Sequence, residues 1–220
     1  MRINKFVAAS LGWSRRQADE AVANGRVTID GKPANLGQSV NSDNAVTLDG
    51  QILRIQAGLY VLMNKPAGVV CSRRGQGAKT VYQLLPPKYH KLKTVGRLDK
   101  DTSGLLLLTN DGDFAHSLTH PKFRKVKIYE INLDKPLLET DKAELNSGVR
   151  LDDGLSKLRL EEQTGNASYI ISMQEGRNRQ IRRTMAALNY MTVKLHRLQL
   201  GPYELNGLKS GQFKEVDKIE

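Results

Sequence analysis

Two carboxylates, Asp99 and Asp101, stand in the run Gly96-Arg97-Leu98-Asp99-Lys100-Asp101-Thr102-Ser103-Gly104, which leads straight into four leucines, Leu105 to Leu108, and then Thr109-Asn110-Asp111-Gly112. A positioned aspartate can act as a nucleophile or as a base. The leucine run is too short for an independent helix and is bounded by Gly104 and by Asn110-Asp111-Gly112, so it reads as a core strand. Asp99 then lies in the loop entering that strand, where a rigid support limits the freedom of a reacting group. Residue types alone fit a plainer role equally well, since Asp, Thr and Ser often serve only to satisfy the backbone of a turn.

Other elements must position that loop. Leu59-Tyr60-Val61-Leu62-Met63 reads as a buried strand, broken by Asn64-Lys65-Pro66-Ala67-Gly68, with extended structure resuming at Val69-Val70-Cys71. Thr80 to Leu85 reads as a short helix with an apolar side. Lys127-Ile128-Tyr129-Glu130-Ile131-Asn132-Leu133 alternates and predicts a half-buried strand with Tyr129, Ile131 and Leu133 on one face. In Glu175-Gly176-Arg177-Asn178-Arg179-Gln180-Ile181-Arg182-Arg183, Ile181, Met185 and Leu188 share a helical face, so the helix docks on the core and its arginine-rich start faces a cleft or solvent. Leu195 to Leu205 predicts a late strand; His196 within it has no Ser or Cys nucleophile pattern and is read as structural. The residues after Gly211 are given no role.

The 220 residues allow a medium domain plus a small one, and the net charge of +11 favours a polyanionic partner, nucleic acid first. The single cysteine, Cys71, excludes an intrachain disulfide framework and a Cys-rich zinc site. Met1-Arg2-Ile3-Asn4-Lys5-Phe6 lacks the continuous apolar core of a secretory signal, and no apolar run is long enough to span a bilayer, so a soluble, cytoplasmic protein without membrane contact is expected.

Near the N-terminus, Ile3, Phe6, Val7 and Leu11 form one helical face, with Arg2, Asn4, Lys5 and Ser10 pointing elsewhere. Ser14-Arg15-Arg16-Gln17 has the form of a capping box opening a second helix that ends near Asn24-Gly25. Val27-Thr28-Ile29 before Asp30-Gly31, and Val46-Thr47-Leu48 before Asp49-Gly50, are strands ending in hairpin dipeptides. This order, with Arg15 and Arg16 at a helix start and the Gly25-Arg26-Val27-Thr28-Ile29-Asp30-Gly31-Lys32 run, resembles the S4 RNA-binding domain. Arg2, Lys5, Arg15, Arg16, Arg26 and Lys32 are accordingly expected to contact RNA phosphates, giving affinity and orientation more than sequence choice. The domains are expected at residues 1–55 and 59–220.

The Gly96 to Gly112 run closely resembles the signature of the pseudouridine synthases, in particular the RsuA-like branch that modifies ribosomal RNA. Asn64-Lys65-Pro66 with Gly68, Lys127-x-Tyr129 and the arginine-rich run from Glu175 resemble the other motifs of that branch, in order. The resemblance implies that Asp99 is the catalytic carboxylate and that Tyr129 stacks on the target base. It further implies that Arg182 pairs with Asp99 while Ile181 packs beside the tyrosine, and that Lys65, Asp101 and Lys127 support the site. Arg97 is expected to hold the opened RNA, and Arg177 and Arg179 to contact it. Thr184 departs from the pattern, since a Met commonly follows the double arginine.

The implied fold is α+β: a small S4-like α/β module, then a synthase domain with a mixed, mostly antiparallel sheet flanked by helices. The implied reaction isomerises a specific uridine of ribosomal RNA, free or in an assembly particle, to pseudouridine, with no cofactor and no metal, by a monomer. Attack at the ribose, addition to the uracil ring and proton abstraction from the sugar all stay open for Asp99. Two rival classes remain. One is a non-catalytic S4-type RNA-binding or ribosome-assembly factor, which would be expected to have lost Asp99, Tyr129 or Arg182. The other is a metal-dependent phosphoryl-transfer enzyme using Asp99 and Asp101, which needs further carboxylates and which no Walker-type loop supports.

Overall fold

The computed structural model describes residues 1–75 and 77–219 and divides into two compact units, Met1–Leu59 with Asn110–Gly112, and Tyr60–Thr109 with the chain from Asp113 onward. In the first unit α1 (Ile3–Leu11) ends on Gly12 at φ 72°, a left-handed cap that glycine adopts without a Cβ penalty. The next helix, α2 (Arg15–Ala23), opens on a complete capping box: Gln17 N donates to Ser14 Oγ at 3.2 Å, and Ser14 N donates to Gln17 Oε1 at 2.9 Å. Four short strands follow, β1 (Val27–Ile29), β2 (Lys32–Pro33), β3 (Val46–Leu48) and β4 (Gln51–Ile52), in the order β2-β1-β3-β4. Both two-residue turns hold positive φ at each position, 51° and 78° at Asp30-Gly31 and 49° and 80° at Asp49-Gly50, which matches the twist of the paired strands. Ile3, Val7, Ala18, Val22, Val27 and Val46 form the core. Ser10, expected to point away from the apolar face, is instead buried, because its hydroxyl donates to the Phe6 carbonyl at 3.0 Å and so enters the core with its polarity satisfied.

The second unit runs β5 (Tyr60–Lys65), β6 (Lys93–Thr94), β7 (Ser103–Thr109), α3 (Gly112–Thr119), β8 (Lys127–Leu133), α4 (Glu139–Ser147), β9 (Val149–Leu151), β10 (Gly154–Ser156), β11 (Arg159–Gly165), β12 (Ser168–Met173), α5 (Gln180–Ala187), β13 (Thr192–Leu200), β14 (Tyr203–Glu204) and β15 (Phe213–Glu215). Its main sheet has the order β11-β12-β8-β13-β7-β5-β15, with β14 against β13 and β6 against β7. Among the described residues β13 and β7 pair in parallel and the sheet's other pairs are antiparallel, so the sheet is mixed and mostly antiparallel. Leu105 to Leu108 are all at 0% exposure, which means both faces of β7 are covered. Burial of each such side chain contributes about 1.5–3 kcal/mol, so the loop before β7 is tied to a fully buried run of strand. β8 alternates buried and half-buried residues along its whole length, with Lys127, Tyr129, Ile131 and Leu133 on the buried face.

Several local expectations are corrected. β5 does not break at Asn64: it continues through Lys65, because Asn64 donates from its backbone to Gln212 O at 2.9 Å and from its side chain to Leu208 O at 2.7 Å, and Lys65 pairs in register with Gly104. Val69 to Cys71 form no strand, only an isolated bridge from Val70 to Thr80, and the helix expected over Thr80 to Leu85 is a 3₁₀ turn at Val81–Leu84. The segment after Gly211 supplies β15, which pairs with β5. Among the described residues no helix is long and apolar enough to cross a membrane.

Candidate active site

The loop before β7 closes on itself through Thr102 N, which donates to the Asp99 carbonyl at 3.1 Å. This turn leaves the Asp99 side chain beside a cavity of about 350 Å³ whose lining includes Arg97, Asp99, Thr102, Lys127, Tyr129, Ile181, Arg182 and Arg197. One face of the sheet forms part of that lining. Tyr129 on β8 stands opposite Arg197 on β13, Lys127 stands opposite Met173 on β12, and all four side chains are buried. Asp99, Tyr129, Ile181 and Arg182, far apart in sequence, thus border a single space.

Charge pairing across this space differs from expectation. Arg182 does not pair with Asp99: its Nη2 donates to the Asp101 carbonyl at 3.1 Å, its Nη1 to Thr192 O at 2.8 Å, and its Nε lies 3.2 Å from Asp101 Oδ2 without hydrogen-bond alignment. Arg179 is the arginine that approaches Asp99, at 3.9 Å, while forking onto both oxygens of Asp101 at 3.1 and 3.2 Å. The cause is backbone geometry. Arg179 caps α5 in the left-handed region at φ 45°, which turns its side chain toward the loop, and the Asp99 to Thr102 turn presents Asp101 to both arginines. Burial pushes the Asp101 carboxyl up, but the Arg179 hydrogen bonds and the Arg182 charge outweigh it and hold the group below the usual carboxylate range. Asp101 therefore acts as a strut that fixes two guanidinium groups at the loop carrying Asp99.

Arg177 is also placed otherwise than expected. Its guanidinium donates to Asp153 Oδ1 at 2.8 Å, to the carbonyls of Asp153, Gly154 and Leu155, and to Glu175, so it ties the β9–β10 hairpin to the start of α5 and is committed within the protein. Arg183 joins it on Asp153 Oδ2 at 2.7 Å. Thr184, the departure from the family pattern, is fully buried and satisfied: its hydroxyl donates to Gln180 O at 2.8 Å and lies 2.8 Å from Ser156 Oγ, which also accepts from Gln180 Nε2 at 2.9 Å. A hydroxyl is useful there because Ser156 and Gln180 are buried polar partners.

Lys65 is fully buried, donates to the carbonyls of Pro66 and Val69 at 2.9 and 2.7 Å, and has its pKa lowered by burial. The Lys127 ammonium donates to Glu175 O at 3.1 Å, and burial, then the neighbouring Arg197 charge, lowers its pKa. His196 shares a 2.8 Å hydrogen bond with Ser103 Oγ, which ties β13 to β7. Arg97 is exposed on the cavity rim. In the first unit Arg2, Arg15, Arg16, Arg26 and Lys32 are exposed and Lys5 is half-buried. Arg26 forms an ion pair with Asp49, which offsets its charge. Sequence reasoning did not single out Arg197 or Thr102 for the site. Arg197 carried a signal: it occupies the buried phase of an alternating strand, two residues from buried Leu195. Among the described residues no group of three or more His, Cys, Asp or Glu side chains could hold a metal ion.

A basic chain with a small helical and stranded RNA-type module, and a mixed sheet carrying an aspartate, a tyrosine and arginines around one cavity, defines a class of RNA-acting protein. The sequence model described as RNA pseudouridylate synthase matches residues 59–187, and that of the S4 domain matches residues 1–46. The chain is 35% identical to ribosomal small subunit pseudouridine synthase A of Salmonella typhimurium, over 100% of this chain and 98% of the relative. It is 34% identical to ribosomal large subunit pseudouridine synthase B of Bacillus subtilis, over 100% and 93%. A crystal structure of a pseudouridylate synthase superposes with a TM-score of 0.71 at 32% identity, covering 99% of this chain and 96% of that one. The chain belongs to the RNA pseudouridylate synthase family.

Proposed function

We propose that this protein isomerises a specific uridine of ribosomal RNA to pseudouridine, with Asp99 as the carboxylate acting at the reacting nucleotide. The observation that carries the reading is the convergence of Asp99, Tyr129 and Arg182 on one cavity. In the reaction the N1–C1′ bond breaks, the uracil turns, and C5 bonds to C1′; the C5 proton is lost and N1 gains one, so nothing else is consumed. Asp99 is suited to act on the sugar as nucleophile or base, and Arg179 approaches it to 3.9 Å. The target must leave its stack to reach the cavity. The Tyr129 ring offers the extruded base a platform, and such stacking is worth roughly 1–3 kcal/mol.

The names of the relatives point to ribosomal RNA as the substrate. The exposed arginines of the S4 unit supply sequence-independent affinity, Arg97 holds the opened strand at the rim, and the protein works as a cytoplasmic monomer on RNA or an assembly particle.

Carbodiimide labelling and primer extension on ribosomal RNA treated with wild-type protein or with Asp99→Asn tests this. A stop that appears with wild type only, while Asp99→Asn loses at least about 10³-fold in rate and keeps RNA affinity within a few-fold, is the expected result. No stop on RNA or particles of either subunit, or equal stops with both proteins, would sink it.

A further inference from the structure

Arg197 is 3% exposed, and among the described residues its guanidinium makes one hydrogen bond, from Nε to the Leu105 carbonyl at 2.8 Å, while buried Nη2 has no hydrogen-bond partner. No carboxylate pairs with it among the described residues. A guanidinium stays charged at any working pH, and leaving one buried with an unused donor is costly. The fold nevertheless holds it rigidly. Its backbone pairs with Tyr129 on one side and with Gly104 on the other, and Gly104 sits so close that a Cβ there would lie 2.3 Å from the Arg197 carbonyl oxygen. The unused donor belongs to a residue that lines the cavity directly opposite Tyr129. A second cation, Lys127, lies two residues from Tyr129 on the same strand face, also lines the cavity, and donates to the Glu175 backbone carbonyl. Thr102, whose buried hydroxyl likewise has no hydrogen-bond partner among the described residues, lines the same space. Two cations that form no ion pair among the described residues therefore line the cavity with Tyr129, the Glu175 carboxylate acting on Lys127 only through space, whereas the carboxylates Asp99 and Asp101 are claimed by Arg179 and Arg182.

We propose that Arg197, assisted by Lys127, receives the negative charge that the uracil carries away when its bond to the ribose breaks. The inference rests on the reading of Tyr129 as the base platform. As the N1–C1′ bond breaks, its electron pair stays on the ring and spreads over N1, O2 and O4; when C5 then bonds to C1′, the pair is returned, the C5 proton leaves and N1 is protonated. The detached base is thus an anion for part of the cycle, lodged between a guanidinium and an ammonium fixed before the reaction begins. Donors fixed in advance at a developing charge, in a site shielded from water, lower such a barrier most.

The test is single-turnover kinetics at saturating RNA, with RNA affinity measured in parallel, for wild type, Arg197→Met, Arg197→Lys and Lys127→Met. The substrates are ribosomal RNA transcripts made with uridine or with 5-fluorouridine, followed by chromatography of digested nucleosides. Fluorine makes the departing base a weaker base, so its anion needs less help. Arg197→Met is expected to slow uridine consumption by about 10²–10³-fold, with a clearly smaller loss on 5-fluorouridine and RNA affinity within a few-fold. Arg197→Lys and Lys127→Met are expected to fall between wild type and Arg197→Met with the same substrate dependence, which covers the case of a poorly folded Met variant at 197. Equal losses on both substrates would make Arg197 a positioning residue, and a loss confined to RNA affinity would make it a phosphate contact; either overturns the proposal. Wild-type turnover of uridine separates this failure from failure of the synthase assignment itself.

Discussion

Helices α2 and α5 both begin in arginines, yet the two starts are put to different uses. Arg15 and Arg16 at the start of α2 are exposed and form no ion pair among the described residues. At the start of α5, Arg179 and Arg182 are bound to Asp101, and Arg177 and Arg183 to Asp153. An uncommitted arginine on a surface suits a mobile phosphate backbone, where affinity comes from counterion release and position tolerates error. An arginine fixed by a carboxylate suits a reacting group, where a small misplacement costs rate. On the proposed function, Arg15 and Arg16 are thus left to bind and Arg179 and Arg182 to serve the site, according to whether the RNA or the protein supplies the anion.

The division is most sharply tested at Arg182. Arg182→Ala is expected to lower the single-turnover rate at saturating RNA by about 10²-fold, because the pairing that holds Asp101 and the α5 start against the Asp99 loop is lost. The dependence of RNA affinity on salt should not change. A variant that loses affinity and salt dependence while keeping its rate would place Arg182 with the binding arginines and dissolve the contrast.

Replacing both Arg15 and Arg16 by Ala gives the complementary, smaller effect. RNA affinity should weaken by about tenfold near physiological salt, and the slope of log affinity against log salt should become shallower by about 1 to 2, as expected for two lost contacts to a single strand. The rate at saturating RNA should hold. If that rate falls with them, the α2 start does more than bind.

What the sequence disclosed, and what it withheld, follows the same line. The buried strand of Leu105 to Leu108, the alternation from Lys127 to Leu133 and the Ser14–Gln17 capping box are local patterns, and each is found as read, because short-range periodicity and capping chemistry determine them. The pairing of arginines with carboxylates was not legible. Whether Arg182 meets Asp99 or Asp101 depends on a left-handed residue at Arg179 and on how one turn faces one helix, and neither leaves a trace in residue order. Arg177 looked like one more cation in a basic run until the β9–β10 hairpin, itself absent from the sequence reading, proved to supply its acceptors. Likewise β15 is held in place by β5 and not by any pattern of its own.

The smallest expected effect concerns Asp101 and acid. Because its carboxyl is held below the usual range in the folded protein, the folded state binds that proton more weakly than the unfolded chain does, so the group adds stability above its unfolded pKa of about 3.8 and loses that contribution as pH falls through the lower folded value. With nearly half of the side chain exposed, solvent screens the pair and the contribution is modest. Thermal melts of wild type and Asp101→Asn should then differ above pH 4 and converge as the pH is lowered further, with the variant showing the shallower acid decline. The rate at neutral pH should fall in that variant as well, since Arg179 keeps only one neutral side-chain acceptor at residue 101 and Arg182 loses the carboxylate charge beside its Nε. If Asp101→Asn keeps the full rate yet shows the altered acid limb, the arginines at the α5 start are held by Asp101 for stability alone, and the line between binding and catalytic arginines would have to be drawn at Arg179 instead.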